Sequence, residues 1–247
     1  MKRIFDFLAS FVGLIIFSPL LLFVMFLVWI NDFGNPFYTA MRVGKGEKTF
    51  KMFKLRSMIV NADKSGVDST SNNDMRITRI GKFIRKFKMD ELSQLINVLL
   101  GDMSLVGPRP NVKRETDLYT KVEKKLLSVR PGITDVSSIV FSDEGDILAN
   151  SKDPDIDYNQ LIRPGKGYLG IFYIENQSFL LDVKLILITL ITIFDRNLAL
   201  KNISKLLKKF NASEFLIKIA ERKDKLVPSP PPGSKKIVKD RSGKVDS

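Results

Sequence analysis

From Phe7 to Ile30 an apolar run of 24 residues holds no charged side chain. As one helix rising 1.5 Å per residue it would measure about 36 Å, enough to cross a bilayer core of about 30 Å. The run is too long for the apolar region of a cleaved signal peptide, and no small-x-small cleavage site follows it. Ser18-Pro19 sits at its middle, where proline lacks an N–H and frees a carbonyl near Ile15. The Ser18 hydroxyl is placed to bond a backbone carbonyl locally. Each half, Phe7–Phe17 and Leu20–Ile30, would reach about 16 Å, half the core thickness. Lys2 and Arg3 precede the run; Arg42, Lys45, Lys48, Lys51, Lys54 and Arg56 follow it. Positive flanks favour the cytoplasmic side, so both ends are drawn to one face. A spanning helix and a bent helix that dips in and returns both remain open on these facts.

Beyond the run the period changes. Phe37–Val43 and Phe50–Leu55 predict two short strands around Gly44-Lys45-Gly46. Asn61–Asp74 reads as a polar loop. Arg79–Lys88 predicts an amphipathic helix, with Ile80, Phe83, Ile84 and Phe87 on one face and Arg79, Lys82, Arg85, Lys86 and Lys88 on the other. Such a helix suits an anionic interface, or a packed position with a solvated basic face. Leu92, Leu95, Ile96 and Leu99 form the stripe of a helix ending near Gly101, and residues 111–128 predict another, stopped by Pro131-Gly132. Pro131–Phe141 reads as extended, and Ser142–Gly167 as loop with a short helix around Asp157–Ile162. Phe179–Phe194 is apolar but holds Asp182 and Lys184, which predicts a buried or interfacial helix. Lys201–Phe210 is a basic amphipathic piece. From Val227 onward, prolines and alternating charges predict a disordered tail. No internal repeat is found.

Composition narrows the chemistry. With 247 residues and 44% hydrophobic positions, the chain suits one catalytic-sized domain with small appendages, and wholesale disorder is excluded. It has no Cys and no His. That removes disulfides, thiolate nucleophiles, Ser-His-Asp machinery and His-ligated metals. An active site must then be built from carboxylates, Lys, Arg, Tyr, backbone groups or an oxygen-bound metal. The net charge of +13 calls for an anionic partner. Residues 40–130 carry 20 Lys or Arg against 10 Asp or Glu, so the excess lies just after the apolar run. That placement favours phosphates handled at a membrane surface over a basic tail.

Asp90-Glu91 opens the helix striped by Leu92. Capping and complementing the helix dipole would be reason enough for acids there. Yet Arg85, Lys86 and Lys88 precede them and would hold both ionised. A carboxylate pair at a helix start suits a divalent cation and the phosphates it bridges. In a chain without His, an ionised Asp is also the most available nucleophile. Ten residues on, Gly101-Asp102-Met103-Ser104-Leu105-Val106-Gly107-Pro108-Arg109-Pro110 sets Arg109 between two prolines, where it loses little freedom on gripping a phosphate; an ordinary turn with an incidental Arg is the other reading. Lys54 and Arg56 leave the second strand together and are further phosphate candidates, or a solvated strand end.

Four motifs occur in order: Phe50 to Met58 (FKMFKLRSM), Met89 to Leu99 (MDELSQLINVL), Gly101 to Pro110, and Val129-Arg130-Pro131-Gly132-Ile133-Thr134. With the Lys-Arg-Ile-Phe-Asp start and Ser18-Pro19, they make residues 2–200 resemble the monotopic polyprenyl-phosphate phosphoglycosyl transferases, bacterial sugar transferases that initiate surface-glycan assembly. The resemblance implies a re-entrant helix over 1–33 broken at Ser-Pro. It implies a helix-rich, mixed α/β catalytic domain over 34–200 with short strands and interfacial helices, leaving 201–247 as basic segment and tail. It places the chain on the cytoplasmic face of the inner membrane. It further implies that Asp90 attacks the β-phosphate of a UDP-sugar, releasing UMP, and that polyprenyl phosphate then takes the sugar phosphate from Asp90. Glu91 matches a Mg²⁺-associated carboxylate, and Lys54, Arg85 and Arg109 match the phosphate-handling site; Arg56 and Arg130 are further substrate-binding candidates. Inner-membrane lipids are expected partners and nucleic acid is not, while a homo-oligomer is left open.

The likeness lapses after Ile133-Thr134, where many relatives continue into Gly, a Trp-containing stretch and a Gly-Arg pair. Here Asp143 and Glu144 are either loop charges or part of sugar selection. Two other functions stay in view: a membrane-tethered binder of anionic lipid or nucleic acid, which gives Asp90-Glu91 no role, and a hydrolase passing the same aspartyl ester to water.

Overall fold

The computed structural model describes residues 1–62 and 74–240. The expected polar loop over 61–74 lies mostly outside these residues.

The apolar run forms α1 (Lys2–Asp32), a single helix of 31 residues that continues through Pro19. The Ile15 carbonyl loses the N–H that residue 19 would have supplied, and the Ser18 hydroxyl donates to it instead at 2.8 Å. One dipeptide thus both removes and replaces a helical bond. α1 lies against the rest of the chain over its length. Near its start Arg3 donates to the Leu99 carbonyl at 2.8 Å, and Asp6 accepts from the Ser104 hydroxyl at 2.8 Å. Further along, Leu21, Val24 and Val28 pack with Leu55 and Ile84. At its end Asp32 is paired with Arg56 at 2.6 Å.

β1 (Phe37–Val43) and β2 (Thr49–Leu55) form an antiparallel hairpin in which Phe37 faces Leu55 and Val43 faces Thr49. The turn uses Gly46 at φ 66°, where a side chain would be strained. Period-2 alternation turns Phe50 and Met52 inward onto Val98 and Met103. α2 (Arg79–Lys86) follows, with the Thr78 hydroxyl capping Gly81 N at 2.9 Å. Its predicted stripe divides: Ile84 is buried, whereas Phe83 and Phe87 stay exposed with their rings 4.9 Å apart.

The helix expected from Leu92 to Gly101 is split into α3 (Met89–Leu92) and α4 (Leu95–Leu100), and Gly101 ends it at φ 97°. Ser93, between the two, turns its hydroxyl back to the carbonyls of Asp90 and Phe53, both at 3.2 Å. β3 (Ser104–Val106) pairs in parallel with β4 (Gly132–Thr134). Between these strands the sequence expectation fails. Instead of one helix over 111–128 there are α5 (Lys113–Thr116) and a 3₁₀ segment, Glu123–Ser128. Thr120 and Glu123 cap each other reciprocally, Thr120 N to Glu123 Oε2 at 3.0 Å and Glu123 N to Thr120 Oγ1 at 3.1 Å. That capping box starts a new turn where an unbroken helix was expected.

The stretch over 131–141 is extended only as far as Thr134. Asp135 then accepts from Ser138 N at 2.7 Å and caps α6 (Val136–Val140). The region expected as loop keeps its short helix, a π turn over Tyr158–Ile162, but holds more helix besides: α7 (Glu144–Ile147), α8 (Pro154–Asp157) and α9 (Arg163–Asn176). Pro164 and three glycines disguise α9 in the sequence. Pro164 sits in its first turn, where no N–H is needed, and Gly165, Gly167 and Gly170 admit Phe141, Pro232 and Leu126 against its backbone. α10 (Phe179–Phe194) matches its expected bounds; α11 (Arg196–Lys209) contains the basic amphipathic piece, and α12 (Glu214–Glu221) follows.

The main core lies among α6, α9, α10, α11 and α12, with Ile139, Leu169, Leu185, Ile203, Leu207 and Ala220 all essentially inaccessible. Each buried leucine or isoleucine there contributes about 1.5–3 kcal/mol. The expected tail departs from expectation too. From 227 to 240 it has no helix or strand, yet it is packed: the Thr120 hydroxyl donates to Pro232 O, and Gln160 to Val238 O at 2.6 Å. Over the described residues the chain is therefore a helix-rich α/β protein with two two-stranded sheets and one long N-terminal apolar helix.

Candidate active site

Strand alternation decides which way Lys54 points. It shares a face with Phe50 and Met52, and at the strand's end that face meets α3 instead of the core. There Lys54 Nζ lies 3.4 Å from Asp90 Oδ2, with Asp90 only 7% exposed. The approach is fixed by Asn97, which is fully buried. Its Oδ1 accepts from Phe53 N at 2.9 Å and its Nδ2 donates to Lys51 O at 2.7 Å, so α4 docks on β2 through a side chain imitating a strand.

Asp90 is not a cap. The residue before α3 is Lys88, left-handed at φ 54°, and no side chain caps that helix. This kink separates α3 from α2 and aims both acids at the cations. Glu91 Oε1 accepts from Arg109 Nη2 at 2.8 Å. Arg109 arrives on a loop secured from both sides, by Gly107 N to Thr134 O at 2.9 Å and Gly132 N to Pro108 O at 3.0 Å. These backbones meet so closely that a Cβ on Gly132 would fall 2.1 Å from Gly107 N, which accounts for glycine in both motifs. Arg85, from α2, donates to the Ser57 hydroxyl at 3.0 Å and feels the Asp90 charge.

Electrostatics follow from this packing. Burial opposes ionisation of Glu91, but Arg109, with Lys88 and Lys54, overrides it and holds the carboxyl down at about 2. Burial depresses Lys54 below the ordinary lysine range, with Asp90 partly restoring it. Arg109 is raised, chiefly by Glu91. Asp90 Oδ1 and Glu91 Oε2 accept from no described residue, so each acid keeps one oxygen for a ligand.

Of the seven residues singled out in the sequence, five converge: Asp90, Glu91, Lys54, Arg85 and Arg109. Two do not. Arg56 spends its guanidinium on Asp32 and on the Asn35 carbonyl at 2.7 Å, which ties β2 to the end of α1. Arg130 donates to Gly101 O at 3.0 Å and lines a separate cavity of about 430 Å³ with Lys2, Arg3 and Lys45. Neither joins the carboxylate pair. Conversely, Arg42, Glu144 and Lys166 lie close enough to Arg109 or its neighbours to share their charge field. Arg42 and Lys166 carried no motif; only their partners in space mark them.

A family model described as bacterial sugar transferase matches residues 1–196. The chain is 36% identical over 195 residues to an Aeromonas hydrophila UDP-N-acetylgalactosamine-undecaprenyl-phosphate N-acetylgalactosaminephosphotransferase, covering 78% of this chain and 43% of that protein. It is 34% identical over 201 residues to the undecaprenyl-phosphate galactose phosphotransferase of Salmonella typhimurium strain LT2, covering 75% and 39%. With the uncharacterized sugar transferase EpsL of Bacillus subtilis strain 168 it shares 35% over 189 residues, 76% of this chain and 85% of that one. The chain thus spans about two fifths of the two longer relatives. The match takes in all four motifs and every residue of the carboxylate–cation cluster, and on that ground the chain belongs to the bacterial sugar transferase family.

Proposed function

We propose that this chain transfers a sugar 1-phosphate from a UDP-sugar to membrane polyprenyl phosphate through an ester on Asp90. The observation that carries the reading is the Asp90–Glu91 pair clasped by Lys54 and Arg109. Asp90 Oδ1 attacks the β-phosphorus, the bond from that phosphorus to the bridging oxygen breaks, and UMP leaves with the oxygen. The phosphate of polyprenyl phosphate then attacks the same phosphorus and Asp90 departs as carboxylate, giving polyprenyl-diphospho-sugar. A carboxylate and a phosphate attack as nucleophiles without a base to deprotonate them, so neither step needs the imidazole that this chain lacks. Phosphoryl transfer asks mainly for positioning and for charge on the equatorial oxygens. Lys54 orients Asp90 through Oδ2, while Arg109 and Arg85 bring cationic donors to the diphosphate.

The acids fit Mg²⁺. Among the described residues no group of three or more His, Cys, Asp or Glu side chains encloses a metal. Mg²⁺ is commonly held by one or two carboxylates with water and substrate phosphate completing its shell. Glu91 Oε2 is the oxygen suited to hold it. When bound, the ion would neutralise charge on the diphosphate.

The reading of the membrane is that α1 dips in and returns, leaving the protein on the cytoplasmic face. Its support is mechanical: Arg3 and Asp6 at one end and Asp32 at the other are bonded to a single folded body. A spanning helix would hold those ends about 30 Å apart across hydrocarbon. Exposed Phe83 and Phe87, and Phe179, Leu180 and Phe194 of α10, give further apolar surface for an interface. Phe5 and Phe179 touch edge to face, 5.1 Å between centroids, so the outer faces of α1 and α10 adjoin.

UMP release from a panel of UDP-sugars, with Mg²⁺ and polyprenyl phosphate, tests the reading. Release is expected with the lipid acceptor and is expected to vanish in Asp90→Asn. Full turnover by that variant would refute it, and steady sugar phosphate release without lipid would reassign the protein as a hydrolase.

A further inference from the structure

The structure separates two neighbouring acids, Asp143 and Glu144. Asp143 Oδ2 forms an ion pair with Arg196 at 3.0 Å and accepts from Arg222 at 2.8 Å, stapling the start of α7 to α11 and α12. Glu144 is paired with Lys166 instead. Lys166 lines a crevice together with Arg109, Asp135, Ser137 and Tyr158, and its ammonium stands 5.3 Å from the centre of the Tyr158 ring. Glu144 therefore stands beside the same wall that delivers Arg109 to Glu91. Its Oε1 accepts from no described residue. Burial opposes its ionisation, but Lys166, Arg109 and Lys88 hold it charged.

A carboxylate that neither attacks phosphorus nor holds a cation for the diphosphate gains nothing beside it, because like charges repel. It is the right group to accept hydrogen bonds from hydroxyls, and an adjacent ammonium supplies the donors that a sugar's oxygens need. Both partners are secured by chain beyond the family match, which ends at residue 196. Arg222 grips Asp143, next to Glu144, and Pro232 sits against Gly167, next to Lys166, within 2.8 Å of where a Cβ would lie.

We infer that Glu144 and Lys166 read the hydroxyls of the donor sugar, and that the C-terminal segment holds them in register with the catalytic pair. The inference rests on the UDP-sugar reading above. Its test is kcat/KM for UMP release from UDP-glucose, UDP-galactose and their N-acetyl counterparts. Wild type, Glu144→Gln, Lys166→Gln and Arg222→Gln are compared as full-length proteins, with thermal unfolding recorded for each. A site built to hydrogen-bond a hydroxyl discriminates strongly against the wrong sugar, because its buried polar groups are then left unpaired. The ratio between best and worst donor is expected to fall at least tenfold in Glu144→Gln and Lys166→Gln. Arg222→Gln is expected to move it the same way by less, and folded Glu144→Gln should still form the Asp90 adduct. Ratios within twofold of wild type in the first two variants, or a wild type that treats all four donors alike, would overturn the inference alone. An unmoved ratio in Arg222→Gln would overturn the positioning role of the C-terminal segment. A wild type that releases UMP from no UDP-sugar would overturn the underlying reading as well.

Discussion

At the scale of single residues, two carboxylates are denied their usual solvent and given cations instead. Arg109 is the clearest case: it is the direct partner of Glu91 at 2.8 Å, and the proposed reaction would develop phosphate charge beside it. Arg109→Ala is expected to lower kcat for UMP release about 10²–10³-fold, in line with loss of one electrostatic donor. Arg109→Lys should recover only part, since a point charge cannot reproduce the planar fork. The pH dependence has two signs. Glu91 is depressed to about 2, so its ion pair stabilises the fold fully above about pH 4.5 and loses that contribution as pH falls toward 2. Denaturation of Glu91→Gln should accordingly be less pH-dependent over that window. Lys54 is depressed by burial, so its positive charge is lost as pH rises through a value below the ordinary lysine range. The alkaline limb of activity should move upward in Lys54→Arg, because arginine keeps its charge; an unmoved limb would detach Lys54 from the chemistry.

At the scale of elements, close backbone approaches hold the site together. A Cβ on Gly132 would meet Gly107 N at 2.1 Å, and one on Gly81 would meet the Ser57 carbonyl at 1.8 Å. Gly132→Ala should push β4 from β3 and carry Arg109 out of reach, costing about 1–3 kcal/mol or more. The checks are a thermal midpoint lowered by several degrees together with a fall in kcat. Glu123, buried against Arg163 at 2.8 Å, is a second such point. Glu123→Ala breaks this buried ion pair and the cap on Thr120 N, and should cost about 3–5 kcal/mol, read by denaturant unfolding. These elements also show where the sequence was readable. The β1–β2 hairpin and α10 follow from alternation and apolar length, because each satisfies its pattern locally. The helix over 111–128 and the extended stretch over 131–141 were misread because a few capping side chains, Thr120, Glu123 and Asp135, outweighed periodicity. α9 was missed because glycines that serve its packing against Phe141, Pro232 and Leu126 look like loop residues when neighbours are unknown.

At the scale of the whole molecule, α1 and the catalytic body form one unit, and this sets the expected topology. The chain has no cysteine, so single-cysteine variants report cleanly. Ile4→Cys and Asn31→Cys, near the two ends of α1, should both react with an impermeant maleimide in inverted vesicles and both be protected in spheroplasts. Opposite sidedness would require a spanning helix. The cluster was legible for Asp90, Glu91, Lys54 and Arg109, which the motifs carry, and for Arg85, which the amphipathic helix and the resemblance pointed to; all five converge. Arg56 and Arg130 share those motifs but are used for docking, at Asp32 and at Gly101. Charge alone does not tell an arginine of the carboxylate cluster from one bonded elsewhere in the fold. Arg42 and Lys166 reach the site only through tertiary packing, which no local pattern records.

The central claim is the aspartyl ester, and the mass of the intact protein addresses it most directly. After incubation with a turned-over UDP-sugar and Mg²⁺ but no polyprenyl phosphate, the account expects a mass gain of one sugar phosphate. That gain should map to the peptide bearing Asp90 and disappear when polyprenyl phosphate is added. UMP released at full rate by a protein that never carries the sugar phosphate, or an adduct mapped to another residue, would contradict it.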